Sequence, residues 1–155
     1  MSKVRALVTG GCGFAGHHLV NHILVNTDWE VVIFDKLTYA SSGFDRLKDI
    51  NCFDDKRVHI FATDFNQEIK EGLLSEIGNI DYVIHMGAET HVDNSITNPE
   101  PFVISNVVGT MRILELARKL KPKKMLYFSC YDEETTAVTK DGLKKYSELK
   151  IGDEV

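Results

Sequence analysis

At 155 residues the chain is long enough for one domain with a sizeable core. A net charge of −5 and a pI near 5.6 argue against non-specific nucleic-acid binding, and no apolar run is long enough to span a membrane. Lys3 and Arg5 lead into a short strand rather than a signal peptide, and Cys12, Cys52 and Cys130 are too scattered for a disulfide framework, so a reducing, cytoplasmic location is expected.

In chain order, residues 3–9 predict a buried strand. Residues 14–26 predict a helix with Phe14, Leu19, Val20, Ile23 and Leu24 facing inward. Residues 30–35 predict a second strand, 41–50 a short helix or turn, 57–62 a third strand and 67–77 a helix. A fourth strand is expected at 81–86 and a mostly helical stretch from Ser95 to about Leu120. Its apolar spacing is Val103, Val107, Met111, Leu114 and Ala117, with Pro99 and Pro101 at the start and Pro122 after the end. Residues 124–129 predict a fifth strand. This alternation implies an α/β fold, a Rossmann-type doubly wound parallel sheet that stops after about five strands. Its ligand should lie across the C-terminal strand ends.

The first two strands bracket the strongest motif. Gly10, Gly13 and Gly16 fall at G-x-x-G-x-x-G spacing in the turn between strand and helix. Such glycines allow a tight turn, a close backbone approach to a pyrophosphate and close helix packing. The pyrophosphate would rest on the free N–H groups of the helix N-terminus. Asp35 follows at the end of the second strand, where its carboxylate can accept hydrogen bonds from adenosine ribose hydroxyls. The same charge repels a 2′-phosphate, so NAD is expected over NADP, although the adjacent Lys36 could offset the repulsion.

Two further strand ends are informative. Asp64 and Phe65 follow the third strand, where the carboxylate could bond an adenine amino group, cap the next helix, or do both. After the fourth strand comes Gly87-Ala88-Glu89-Thr90-His91-Val92-Asp93. Its small residues would run beside the cofactor and its polar residues would face a substrate, the alternative being a solvated loop. His18 and His22 lie at i, i+4 but share no ligand spacing with a carboxylate or cysteine, so no metal site is expected.

The segments TGGCGFAG, FDKLTYA and HMGAETHVDNSITNPEPFVISNVVGTMRILELAR resemble the extended short-chain dehydrogenase/reductases, and among them the dTDP-glucose 4,6-dehydratases. The resemblance covers residues 4–129. It implies that Phe14 and Ala15 touch the pyrophosphate. Asp35, Lys36, Leu37 and Thr38 would surround the adenosine ribose, and Asp64 and Phe65 the adenine. Ala88, Glu89 and Thr90 would line the nicotinamide side with Ser105 behind them, while Thr90 and His91 border the sugar. Such enzymes oxidise a nucleotide sugar at C4 with NAD, eliminate water and return the hydride at C6. A homodimer would be in keeping with the resemblance.

A Thr-Asp-Glu run should follow the fifth strand in that family. Here the chain reads Cys130-Tyr131-Asp132-Glu133-Glu134. One reading makes Asp132 and Glu133 the displaced catalytic pair and Tyr146 with Lys150 the Tyr-x-x-x-Lys dyad, although only five residues follow Lys150 to complete the helix that dyad needs. A second reading finds a resemblance to the opening block of an intein. It rests on Cys130, then Thr136, Val138, Thr139, Asp141 and Gly142, then Glu148, Leu149, Gly152, Asp153 and Val155. That resemblance implies Cys130 as nucleophile and a C-terminal intein fragment as partner. A third reading is an arbitrary tail. Independently of these, Asp141-Gly142 between short apolar stretches predicts a hairpin. The expected division is thus 1–129, an NAD-binding Rossmann domain, and 130–155, a tail. The domain is expected to lack groups for turnover on its own: it is read as the N-terminal part of a nucleotide-sugar 4,6-dehydratase interrupted by an intein. The alternatives are a non-catalytic NAD-binding module, the N-terminal half of a split-intein precursor, or another nucleotide-sugar epimerase or dehydratase.

Overall fold

The computed structural model describes residues 3–38, 41–129, 136–140 and 142–148. Five parallel strands form one sheet: β1 (Arg5–Thr9), β2 (Glu30–Asp35), β3 (Val58–Ala62), β4 (Tyr82–His85) and β5 (Lys124–Tyr127). Their order is β3-β2-β1-β4-β5. The chain therefore winds outward from β1 to β3 and then crosses back to place β4 on the other side of β1. That reversal opens a crevice between the C-terminal ends of β1 and β4.

Near-continuous apolar runs suit strands covered on both faces. Alternation along each strand divides them between two cores. Val8, Val31 and Ile33 pack with Val20, Ile23 and Leu24 of α1 (Phe14–Asn26) and Leu47 of α2 (Asp45–Asp49). Leu7, Val32, Phe34 and Val83 pack on the opposite face with Phe65, with Ile77 of α3 (Glu71–Ile77), and with Ile113 and Leu116 further along. Each large side chain buried in this way contributes about 1.5–3 kcal/mol of transfer free energy.

The predicted long helix is divided. It comprises α4 (Val92–Thr97), α5 (Glu100–Val103), a π-helical turn (Ile104–Gly109) and α6 (Thr110–Leu120). Pro99 starts α5 after the break at Asn98. The inward face is Ser105, Gly109, Ile113 and Leu116, whereas Val103, Val107, Met111 and Leu114 are exposed. The apolar periodicity of the sequence thus marks the outer face, and the inner one was hidden by a serine and a glycine. Phe14 is corrected too: it is 74% exposed, and the buried face of α1 is Gly16, His17, Val20, Ile23 and Leu24. His18 and His22 are exposed on α1. α3 is shorter than expected because Gln67 closes a turn onto the Asp64 carbonyl instead of starting a helix.

In the tail, β6 (Thr136–Thr139) and β7 (Gly142–Lys145) form an antiparallel two-stranded sheet of their own, with Thr139 opposite Gly142. Gly142 has φ of 110°, as a glycine in a hairpin turn can. A single 3₁₀ turn follows at Tyr146–Glu148. Cys130, Asp132, Glu133 and Lys150 lie outside the described residues.

Candidate dinucleotide site

A cavity of about 520 Å³ occupies the crevice at the strand ends. Gly10, Gly13, Phe14, Ala15 and Gly16 line one side, Asp35, Lys36 and Thr38 a second, and Ala88, Glu89, Thr90 and His91 a third, with Phe65 and Ser105 behind. The sequence-derived set converges here with two exceptions. Leu37 turns its side chain into the core beneath α1. Asp64 does not line the cavity, and its Oδ1 accepts the Asn66 N–H at 3.0 Å in a local turn; it does not cap the next helix either, since α3 starts at Glu71 with Lys70 at its N-cap. Ser41, Arg46 and Met86 line the cavity without having been assigned to the cofactor, and Gly87 lines it as one of the small residues expected beside the cofactor. Ser41 and Arg46 come from the segment read only as a short helix or turn, and nothing local marked them.

The glycine turn is built by contact with backbone. Gly10 has φ of 72°, and a Cβ there would lie 2.8 Å from the Gly87 Cα. The loops after β1 and β4 therefore meet main chain to main chain. Gly13 caps α1 with no side-chain hydrogen bond, and the first turn of α1 carries no acid. The first N–H groups of the helix have no intrahelical acceptor, so the cavity receives the positive end of the helix dipole uncompensated.

Asp35 is buried and held by backbone. One carboxylate oxygen accepts the Cys12 N–H at 3.0 Å and the other the Leu37 N–H at 2.8 Å. Leu37 adopts φ of 54° to make its bond. Each oxygen keeps a lone pair for a further donor. Cys12 itself is fully buried beneath the turn, and burial, reinforced by the Asp35 charge, pushes its thiol up to about 12. It is a space-filling thiol, not a nucleophile.

The loop after β4 is fixed by a chain of hydrogen bonds. Thr9 Oγ1 accepts the N–H groups of Met86 (3.2 Å) and Gly87 (3.0 Å). Its own hydrogen then goes to His85 Nδ1 at 2.6 Å. That leaves the ring proton on Nε2, which donates to Thr110 Oγ1 at 3.1 Å, and Thr110 donates to the Asn106 carbonyl at 2.7 Å. Asn106 grips Glu89 from both sides: Oδ1 accepts its N–H at 2.8 Å and Nδ2 donates to its carbonyl at 2.9 Å. The π-helical turn brings the consecutive Ser105 and Asn106 both against the site.

This fold and crevice define a dinucleotide-binding portion of an extended short-chain dehydrogenase/reductase. The chain belongs to the GDP-mannose 4,6 dehydratase family, which matches residues 7–134. It is similar to a dTDP-glucose 4,6-dehydratase of Escherichia coli, 40% identical over 131 residues, which are 84% of this chain and 34% of that protein. A second, from Salmonella typhimurium, is 41% identical over 116 residues, 75% of this chain and 31% of that one. The chain thus spans about a third of the length of the curated relatives it matches. Among solved structures, the dTDP-glucose 4,6-dehydratase DesIV of Streptomyces venezuelae, with NAD and TYD bound, superposes with a TM-score of 0.68. It is 30% identical, with 92% of this chain and 46% of that chain covered. Among the described residues no helix is long and apolar enough to cross a membrane.

Proposed function

We propose that this chain is the NAD-binding N-terminal part of a dTDP-glucose 4,6-dehydratase-like enzyme. The observation that carries the reading is the buried Asp35 carboxylate, fixed by two backbone N–H groups beside a cavity that also receives the uncapped N-terminus of α1. The residues fit the cofactor: glycine backbone for the pyrophosphate and a fixed acceptor for the ribose. When bound, NAD would supply a hydride acceptor for a sugar carbinol. The nucleotide sugar would lie toward Thr90 and His91, on the exposed side of the cavity.

Titration calorimetry tests the cofactor. NAD should bind more tightly than NADP, and Asp35→Ala should weaken NAD by about 1–3 kcal/mol, the range for hydrogen bonds to a charged group. Equal affinity for the two cofactors in the wild type would overturn the role given to Asp35.

The tail supports a reading as the start of an intein that interrupts the active-site motif. The hairpin β6–β7 pairs with itself rather than extending the parallel sheet. In that reading Cys130 Sγ bonds the Ser129 carbonyl carbon, the Ser129–Cys130 C–N bond breaks, and the released amine takes the thiol proton. Mixing the chain with a matching C-terminal intein fragment should yield ligated product by mass spectrometry, and Cys130→Ala should abolish it. The chain by itself should bind NAD without converting dTDP-glucose. Formation of 4-keto-6-deoxy product that disappears in Tyr146→Phe would instead restore the reading of Tyr146 and Lys150 as a dyad.

A further inference from the structure

Lys36 directly follows the carboxylate assigned to the ribose, so it is the cation best placed by sequence to welcome a 2′-phosphate. Its ammonium is turned away from that task. Nζ donates to Ser105 Oγ at 2.9 Å and pairs with Glu89 Oε1 at 3.1 Å. The pair is largely withdrawn from water, with side-chain exposures of 24% for Lys36 and 11% for Glu89. Ser105 is buried, and its oxygen also receives Asn66 Nδ2 at 3.3 Å. Asn106 fixes the Glu89 backbone by two hydrogen bonds, so the loop that carries the carboxylate stays in place if the lysine moves. Swinging Lys36 to a phosphate would leave a poorly hydrated carboxylate without its partner, which is the costly way to break such a pair.

We infer that Glu89 is a specificity-determining residue for NAD over NADP, acting from the opposite loop of the crevice by holding Lys36 away from the ribose end. The inference rests on the NAD-binding reading above. Discrimination then has two sources coupled through Lys36. Asp35 repels the 2′-phosphate, and Glu89 withholds the neighbouring cation that would offset the repulsion.

Binding of NAD and NADP to the whole chain, measured side by side, tests it. Glu89→Gln keeps the shape but removes the charge that retains Lys36. The NAD-to-NADP affinity ratio should fall by about tenfold, chiefly through tighter NADP binding. The double variant Glu89→Gln/Lys36→Ala should return the ratio to that of the wild type, because the cation that Glu89 held is gone. Lys36→Met alone should move both affinities together and leave the ratio where it was. A Glu89→Gln ratio equal to wild type, with NAD still bound, would overturn the inference. So would a ratio that stays narrow in the double variant, or a selective loss of NADP binding in Lys36→Met, which needs no Glu89 variant to fold. Failure of the parent reading looks different: the wild type itself would bind neither cofactor or would prefer NADP.

Discussion

Replacing Gly16 by alanine should destabilise the fold by about 3 kcal/mol, the upper part of the range for overpacking, and abolish measurable NAD binding. A Cβ at Gly16 would collide with the carbonyl oxygen of Gly10, and it would lie 2.8 Å from both the Gly10 carbon and the Gly11 Cα. None of these is a side-chain tip that can step aside. The Gly10 oxygen is also the acceptor for the Gly13 N–H at 3.0 Å, so the turn cannot yield without losing its own closure. α1 must therefore move outward and carry its first-turn N–H groups away from the cavity. Alanine's better helix propensity returns only about 1 kcal/mol. Gly72 in α3 is the control, since a Cβ there meets nothing within 4 Å. Gly72→Ala should be neutral or stabilising and leave NAD binding intact. Urea melts and calorimetry on both variants check this. A Gly16→Ala protein within about 0.5 kcal/mol of wild type, the usual range for harmless surface changes, would refute the packing argument.

The parts of the site legible in the sequence are those where one residue type has one physical use. Gly10 and Gly16 are required by backbone contact at a strand-to-helix turn. Asp35 is recognisable because a carboxylate at the end of a buried strand needs donors, and it finds two on the backbone. The parallel, doubly wound sheet followed from the alternation of strands and helices, whereas the order of its strands did not. What stayed hidden depends on partners remote in the chain. Lys36 looked like a free cation until the fold placed Glu89 and Ser105 against it. The inward face of the long helical segment was misread because its periodic valines and leucine point outward, while the π-helical turn shifts the register and buries Ser105 and Gly109. Gly109 is buried for a reason no periodicity carries: a Cβ there would meet Asn66 Oδ1 at 2.6 Å and the Phe65 ring at 2.8 Å. The hairpin at Gly142 was legible because its signal is local.

His85 should make the fold progressively less stable as pH falls from about 6.5 to about 4. Nothing in the strand pattern singles this residue out, yet it is fully buried between the rings of Phe65 and Tyr127. Burial lowers its pKa from 6.5 to about 4. The unfolded chain therefore takes up the His85 proton near pH 6.5, while the folded chain resists until about pH 4. Between those values the unfolded state binds more protons, so stability rises with pH across the window and is lost as pH falls through it. Above about 6.5 the ring is neutral in both states and there is no penalty. Below about 4 the loss reaches its full size, on the order of 3 kcal/mol at 1.36 kcal/mol per pKa unit. The structural reason is the direction of the hydrogen-bond chain. Nδ1 is an acceptor for the Thr9 hydroxyl, whose oxygen is already occupied by the Met86 and Gly87 N–H groups. A proton on Nδ1 would oppose that hydroxyl and unseat the loop that carries Ala88 and Glu89. Nitrogen-15 spectra of the histidine rings should show His85 as the Nε2–H tautomer at pH 7, with no titration down to pH 5. Subtracting the stability curve of His85→Asn from that of the wild type should isolate the same window. A His85 ring that titrates near 6.5 in the folded protein, or a flat difference curve between pH 6.5 and 4, would show that the ring is not held as an acceptor for Thr9.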